Sequence, residues 1–221
     1  MEAYIIKGYR SAVGKAKKGG FKNYRSDDLS VEVIKYLMAS VPEIDPKSVD
    51  DVIVGCANPE GEQGLQVGRL ISARALGKEV PGITINRYCA SGLEAISQAV
   101  SKINAGFGHI YIAGGAESMS SVPMTGFRPE LNYDTIKEGH ADYYWGMGNT
   151  AEAVANQFKI SREDQDEFAF KSHMKALKAQ AENRFQDQIV PIEVNETYLG
   201  ADGKKATRKY TVNKDEGPRA G

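Results

Sequence analysis

Between Asp51 and Ala113 the chain alternates short apolar runs with longer segments of helical spacing, and no other feature constrains its fold as tightly. Asp51 to Cys56 (DVIVGC), Gly82 to Asn86 (GITIN) and Ile110 to Ala113 read as strands, rich in Val and Ile and bounded by turn residues. Gly64 to Leu76, stopped by Gly77, and Ala90 to Ala105, with Gly106 at its C-terminal end, read as the helices between them. In the second helix Leu93, Ile96, Val100 and Ile103 recur at helical spacing, which predicts one buried stripe. A strand-helix-strand-helix-strand order argues an α/β layer with helices on the faces of its sheet, and ligands gather outside the carboxyl ends of such strands.

The flanking segments are less regular. Ala3 to Gly8 (AYIIKG) reads as a short strand, followed by a loop dense in basic residues and Gly from Tyr9 to Arg25. A strand this early makes the N-terminus part of the fold rather than a cleaved leader. Asp27 and Asp28 precede Leu29, Val33, Ile34, Leu37 and Met38, a helix that Pro42 closes. Beyond residue 117 the character changes. Ser118 to Tyr144 is rich in Met, Pro, Gly and Tyr without clear periodicity, and too long for a simple connector, which marks it as functional. Thr150 to Phe158 and Ser161 to Phe185 read as two helices, the second opening on a capping box of Ser161 with Asp164. Its predicted buried stripe is Phe170, Met174, Leu177, Ala181 and Phe185. Ile189 to Val194 and Thr207 to Val212 read as strands around the turn signal Asp202-Gly203.

Charge and cysteine content exclude several classes. Lys+Arg 28 against Asp+Glu 29 leaves a net charge of -1, without the electrostatic footprint of a nucleic-acid binder. No apolar run approaches the ~20 residues of a membrane span and none has a signal-peptide layout, so the expected location is cytoplasmic with no membrane partner. Cys56 and Cys89 are too few for a disulfide framework and too far apart for zinc-ligand spacing, so no metal site is expected. Cys89 lies between a strand and a helix. A helix N-terminus carries free N–H groups and the positive end of the macrodipole, which favour a thiolate. Ala90, Ser91 and Gly92 leave room for a carbonyl to approach the sulfur and for backbone donors to face an oxyanion. The bland alternative is a cysteine that merely packs. Cys56, closing an apolar strand after Gly55, reads as that packing cysteine.

The string Asn86-Arg87-Tyr88-Cys89-Ala90-Ser91-Gly92-Leu93-Glu94-Ala95 resembles the nucleophile segment of the thiolase family, which includes acetyl-CoA acetyltransferases and 3-ketoacyl-CoA thiolases. Further segments are similar in the family's order: Gly114 to Ser120 (GGAESMS), Met147 to Glu152 (MGNTAE), Ile160 to Ala169 with Ile189 to Ile192, and Asp215 to Arg219 (DEGPR). The resemblance implies a layered αβα N-terminal domain over residues 1–117 and an inserted α+β loop domain over 118–221, both incomplete. It implies acyl transfer through a thioester on Cys89, with CoA and acyl-CoA as substrates and no bound cofactor. Arg219, at the arginine of the Asp-Glu-x-x-Arg motif, would meet the nucleotide of CoA; Met147 would line the acyl channel; and His140 would border the acyl and pantetheine path. Lys204, Lys205, Arg208 and Lys209 make a basic tail that could face the same phosphates.

Family helpers for the cysteine are a histidine in Gly-His-Pro and a second cysteine in Cys-x-Gly-x-Gly, and neither motif occurs in this sequence. His109 and His173 sit in no motif. The resemblance therefore implies the front of a longer fold, with an unpaired sheet edge, a large exposed apolar face and a companion C-terminal chain, in a homo-oligomer of two or four. Ser11-Ala12-Val13-Gly14-Lys15 replaces the family's Thr-Pro-Ile-Gly-Lys, a departure without chemical consequence. Tyr88 and the Tyr143-Tyr144-Trp145 run lean toward degradative 3-ketoacyl-CoA chemistry. Alternatives are a ketoacyl synthase relative, disfavoured because such relatives lack the long loop domain, an inactive thiolase-like scaffold or binding subunit, and a redox pair of Cys56 with Cys89.

Overall fold

In the computed structural model, which describes residues 2–220, β1 (Asp51–Gly55), β2 (Gly82–Ile85) and β3 (Tyr111–Gly115) form a parallel sheet in the order β2-β1-β3. Register is in phase across it, with Ile53 opposite Ile83 on one side and Ala113 on the other. Alternation along β1 sends Val52 and Val54 to one face and Ile53 to the other. Val52 and Val54 pack with Val31 and Ile34 of α1 (Ser26–Ala39) and with Val67 and Ile71 of α2 (Val67–Ala75). Ile53 packs with Ala95 and Ala99 of α3 (Ser91–Asn104). Helices thus cover both faces of a parallel sheet, the α/β class expected from the alternation. Buried Asp27 ties the two helices on the first face together, accepting Arg25 at 2.9 Å and Arg74 of α2 at 3.3 Å.

Contacts divide the chain into two units. One comprises residues up to Phe127 together with Gln186–Gly217; the other comprises Arg128–Phe185 and the residues from Pro218 on. The first unit therefore resumes after the second, which differs from a boundary at 117/118. The reason is the hairpin of β4 (Ile192–Leu199) and β5 (Lys205–Val212), whose Ile192, Val194 and Val212 form a cluster with Ala12, Phe21 and Val190. Its Glu196, only 4% exposed, accepts from Arg208 at 2.6 Å and from Asn23 at 3.0 Å. Past the hairpin, Asp215 accepts both Arg10 guanidinium nitrogens at 2.6 and 2.8 Å and the Val13 N–H at 2.8 Å. Glu216 accepts the Lys15 and Gly20 N–H groups at 2.8 and 2.9 Å. The acidic half of the DEGPR segment thus fastens the N-terminal loop.

Several expectations give way. Ala3 to Gly8 forms no strand; Tyr4, Ile5 and Ile6 are exposed, and the nearest pairing is an isolated bridge of Arg10 with Ile189. Among the described residues no strand pairs with the outer edge of β3, and a cavity of about 580 Å3 lies between that edge, α1 and residues 7–16. The stripe of α3 points away from the sheet: Leu93, Ile96 and Val100 are exposed, whereas Ser91, Ala95 and Ala99 are buried. Small residues are required because the helix lies almost on the strands. A Cβ built on Gly55 would stand 2.4 Å from the Ser91 carbonyl carbon, so β1 must end on glycine there.

In the second unit, α4 (Tyr133–Lys137) and a 3-10 turn at Ala141–Tyr144 occupy the segment that lacked periodicity, followed by α5 (Met147–Phe158) and α6 (Arg162–Ala181). The capping box forms as expected: Ser161 Oγ accepts the Asp164 N–H at 3.1 Å and Asp164 Oδ2 accepts the Ser161 N–H at 3.4 Å. The predicted stripe of α6 is not buried, however; no residue of that helix is, and Phe170 and Met174 are exposed. Among the described residues no helix makes an extensive contact along α6, so its Leu177 is only half-buried and Phe170 and Met174 stay exposed. The hairpin strands begin at 192 and 205 rather than 189 and 207. No helix of the described residues is long and apolar enough to cross a membrane.

Two predictions follow from this packing. Gly55→Ala should destabilise the chain by about 1–3 kcal/mol through overpacking, while Leu93→Ser on the exposed stripe should stay within about 0.5 kcal/mol. Urea midpoints of the two variants measure this, and the reverse order would mean that the apolar stripe is the packed face. The second concerns acid. Hydrogen bonding to Arg10 holds the Asp215 carboxyl below the usual carboxylate range, burial opposes this, and the Val13 N–H and the Arg10 charge add to the lowering. A carboxylate depressed on folding stabilises above its unfolded value of about 3.9, and that contribution is lost as pH falls through the lower folded value. Asp215→Asn should therefore be less stable than the parent at neutral pH, with the gap closing below about pH 4; thermal melts across that range that keep a constant gap would contradict the linkage.

Candidate active site

The last ladder bond between β1 and β2 runs from the Cys56 N–H to the Ile85 carbonyl at 2.9 Å, and the chain then turns sharply into α3. Three side chains shape the turn. Asn86 Oδ1 accepts the Tyr88 N–H at 2.7 Å while its Nδ2 donates to the Ala57 carbonyl at 3.0 Å. Ser91 Oγ accepts the Arg87 N–H at 2.9 Å and donates to the Tyr88 carbonyl at 2.6 Å. Arg87 Nε donates to Glu94 at 2.7 Å, joining the turn to the first turn of the helix and holding the Glu94 carboxyl below its ordinary range. Tyr88 has φ +47°, left-handed backbone that costs a non-glycine residue about 1–2 kcal/mol. These bonds offset that cost.

Cys89 follows Tyr88 and is exposed; one residue, Ala90, separates it from the first helical residue, Ser91. The thiol therefore stands at the carboxyl end of the parallel sheet and at the positive end of the α3 dipole. Nothing lies within 4 Å of a Cβ built on Gly92, so the first turn of α3 is open on that side. The thiol is thus accessible at a helix N-terminus, while the adjoining Ala90 and Ser91 N–H groups are bonded to the Arg87 and Tyr88 carbonyls at 3.1 and 3.0 Å.

At the carboxyl end of β3, Glu117 reaches back to β1. It accepts the Ala57 N–H at 2.6 Å and Gln63 Nε2 at 2.6 Å, with Cys56 Sγ at 3.9 Å. Gln63 is fully buried, donates also to the Asn58 carbonyl at 2.9 Å, and accepts the Ser118 N–H. Burial, reinforced by the Glu117 charge, pushes the Cys56 thiol up to about 11. Cys56 is thus a buried, protonated thiol, as its strand-end position suggested, and it forms no disulfide with Cys89.

The expected site residues divide between the two units. Cys89 and the Gly114–Ser118 turn share one; His140, Met147 and Arg219 belong to the other. His140 is exposed and stacks on Tyr143 with ring centroids 4.7 Å apart. Met147 opens α5 at 68% exposure. Arg219 is exposed and its backbone N–H donates to His173 Nδ1 at 3.3 Å. In the basic tail Arg208 is engaged by Glu196 and Lys209 by Glu193 at 2.9 Å, which neutralises both locally. Reading the sequence alone did not single out Asn86, Gln63 or Glu117. The available signal was an amide one residue past a strand end and a carboxylate just beyond a Gly-Gly strand end, neither of which implies a partner.

Known proteins agree with this architecture. The family model described as "Thiolase, N-terminal domain" matches residues 3–221. The chain is 48% identical over 221 residues to a 3-ketoacyl-CoA thiolase of Bacillus subtilis (strain 168), covering 99% of this chain and 56% of that protein. It is 40% identical over 196 residues to a 3-ketoacyl-CoA thiolase of Marinobacter nauticus, covering 87% of this chain and 49% of that protein. Among solved structures, the Bacillus anthracis acetyl-CoA acetyltransferase superposes with a TM-score of 0.81 at 34% identity, covering all of this chain and 56% of that one. The chain thus spans about half the length of the relatives it matches. With its sheet, its strand-to-helix cysteine and its match over residues 3–221, the chain belongs to the thiolase family, in the part that carries the N-terminal domain.

Proposed function

We propose that this chain supplies the nucleophile of an acyl-CoA C-acyltransferase that cleaves 3-ketoacyl-CoA with CoA, or condenses two acetyl-CoA molecules in reverse. The observation that carries the reading is Cys89, exposed at a tightly bonded strand-to-helix turn. Its relatives' names, 3-ketoacyl-CoA thiolase and acetyl-CoA acetyltransferase, support the substrate class.

In this reading the Cys89 thiolate forms a bond to the 3-keto carbon, and the adjacent carbon–carbon bond breaks to release acetyl-CoA as its enolate. The enolate takes a proton, leaving the shortened acyl group as a thioester on Cys89. The thiolate of a second CoA then attacks that thioester, and its acyl transfer returns the Cys89 thiolate. The positive end of the α3 dipole would favour the developing oxyanion. Met147 would line the acyl channel, His140 would border the pantetheine path, and Arg219 would meet the nucleotide phosphates, for which a guanidinium is well suited.

Activation of Cys89 and protonation of the enolate need an acid–base partner. Within the unit that holds Cys89, the histidine is His109, whose backbone N–H donates to Asp50 at 2.7 Å at the amino end of β3, the end away from the nucleophile. Cys56, the unit's other thiol, is buried. The reading therefore calls for a histidine and a second thiol supplied by additional polypeptide, whether a companion C-terminal chain or another subunit of an oligomer.

In an enzyme complemented in that way, Cys89→Ser should abolish acyl-thioester formation. Peptide mass spectrometry after a quench with acyl-CoA tests this, and an adduct trapped on any other residue would remove the assignment. The 221-residue chain assayed alone should show no thiolysis of acetoacetyl-CoA; robust turnover by the purified chain would refute the need for an outside acid–base partner.

A further inference from the structure

We infer that Asn86 is the positioning residue for Cys89, holding the nucleophile turn to the carboxyl end of β3 through Ala57 and Glu117; this rests on the reading of Cys89 as nucleophile. The chain of bonds is continuous. Glu117 accepts the Ala57 N–H at 2.6 Å, the Ala57 carbonyl accepts Asn86 Nδ2 at 3.0 Å, and Asn86 Oδ1 accepts the Tyr88 N–H at 2.7 Å. Tyr88 adjoins Cys89.

Two observations give Asn86 this task. The main-chain ladder between β1 and β2 ends with the bond from Cys56 to Ile85, so beyond that point the strands are held together by a side chain. Asn86 continues the ladder with its carboxamide, whose one planar group supplies both the donor toward the Ala57 carbonyl and the acceptor toward the Tyr88 N–H. The second observation is the left-handed Tyr88, φ +47°. A non-glycine residue stays there only where its surroundings over-determine it. Of the bonds that fix it, Ser91 takes the Tyr88 carbonyl and Asn86 takes its N–H. Without Asn86 the Arg87–Tyr88 peptide loses the acceptor of its N–H, and the left-handed Tyr88 beside Cys89 is held from its carbonyl side by Ser91 alone.

Glu117 acts one step further back. Its carboxylate is itself steadied by the fully buried Gln63, which in turn accepts the Ser118 N–H. The Gly-Gly-Ala-Glu-Ser turn after β3 and the nucleophile turn after β2 are thereby two ends of one polar bridge across the end of β1. A displacement of the order of 1 Å at a reacting atom is enough to cost a hundredfold in rate.

The test uses the 221-residue chain and p-nitrophenyl acetate, a small ester that makes no use of CoA contacts. Nitrophenolate release at about pH 8.5, the ordinary thiol value, gives the rate, and peptide mass spectrometry confirms that the acetyl group is on Cys89. Asn86→Ala should slow acylation at saturating ester by roughly tenfold or more, with the ester concentration for half-saturation unchanged and the fold intact by circular dichroism. Asn86→Asp keeps the acceptor for Tyr88 and should recover part of the rate, which a role in bulk stability would not give. Hydrogen exchange of the Tyr88 amide should show protection in the parent and in Asn86→Asp, lost in Asn86→Ala. Parent-like acylation by a folded Asn86→Ala chain overturns the inference. If the parent takes no acetyl group on Cys89, the nucleophile reading fails, and the Tyr88 amide alone decides positioning: lost protection in Asn86→Ala supports it, retained protection overturns it. Should Asn86→Ala not fold, Asn86→Asp decides, with loss of both rate and protection overturning the inference.

Discussion

Helix α3 lies so close to the sheet that β1 cannot end on a residue with a side chain. Ser91 occupies the space a Cβ on Gly55 would need, and this one approach governs what surrounds it. It obliges the helix to present Ser91, Ala95 and Ala99 to the strands and to turn Leu93, Ile96 and Val100 outward. It also brings the helix N-terminus to the carboxyl end of the strands, where Cys89 emerges. A bulkier helix face would lift the whole element by the length of a side chain and carry the thiol away from the turn after β3.

The ends of the strands are held by polar bridges rather than by more sheet. Asn86 and Glu117 join three strand ends around Ala57, with buried Gln63 behind them. A second set of carboxylates works at the far end of the sequence: Asp215 and Glu216 hold the loop after the N-terminal segment through Arg10 and three backbone N–H groups. In both places a carboxylate accepts main-chain donors that would otherwise have no ladder partner, which is how loops at a sheet edge stay ordered. The two cysteines show the same contrast in environment. Cys56 is enclosed beside a carboxylate and kept protonated, whereas Cys89 faces solvent at a helix dipole.

Much of the fold was legible because its signals are local. Strand runs rich in Val and Ile, Gly stops at helix ends and the Ser161–Asp164 box all depend on neighbours within a few residues, and the three strands and two helices between residues 51 and 115 formed within about three residues of their expected limits. Cys89 was legible for the same reason, since a strand-to-helix junction is a local pattern, and the ordered set of motifs supplied the family. What misled were arguments about burial. Helical periodicity shows that a face is apolar without showing what covers it, so the stripes of α3 and α6 were assigned to a core that the structure does not place there. The segment Ala3 to Gly8 has strand composition, but a strand exists only by pairing, and none pairs with it among the described residues.

The sequence by itself determined the order and type of the elements between residues 51 and 115, the family, and the place of Cys89 at a strand-to-helix junction, because each is written in adjacent residues or in motifs read end to end. Only the tertiary structure decided which face of α3 is inside, that the hairpin of β4 and β5 belongs with the first unit, and that Asn86, Gln63 and Glu117 form one network. Those outcomes rest on contacts between residues 29 to 205 positions apart, where the deciding quantity is the space left between elements. A sequence pattern carries no measure of that space.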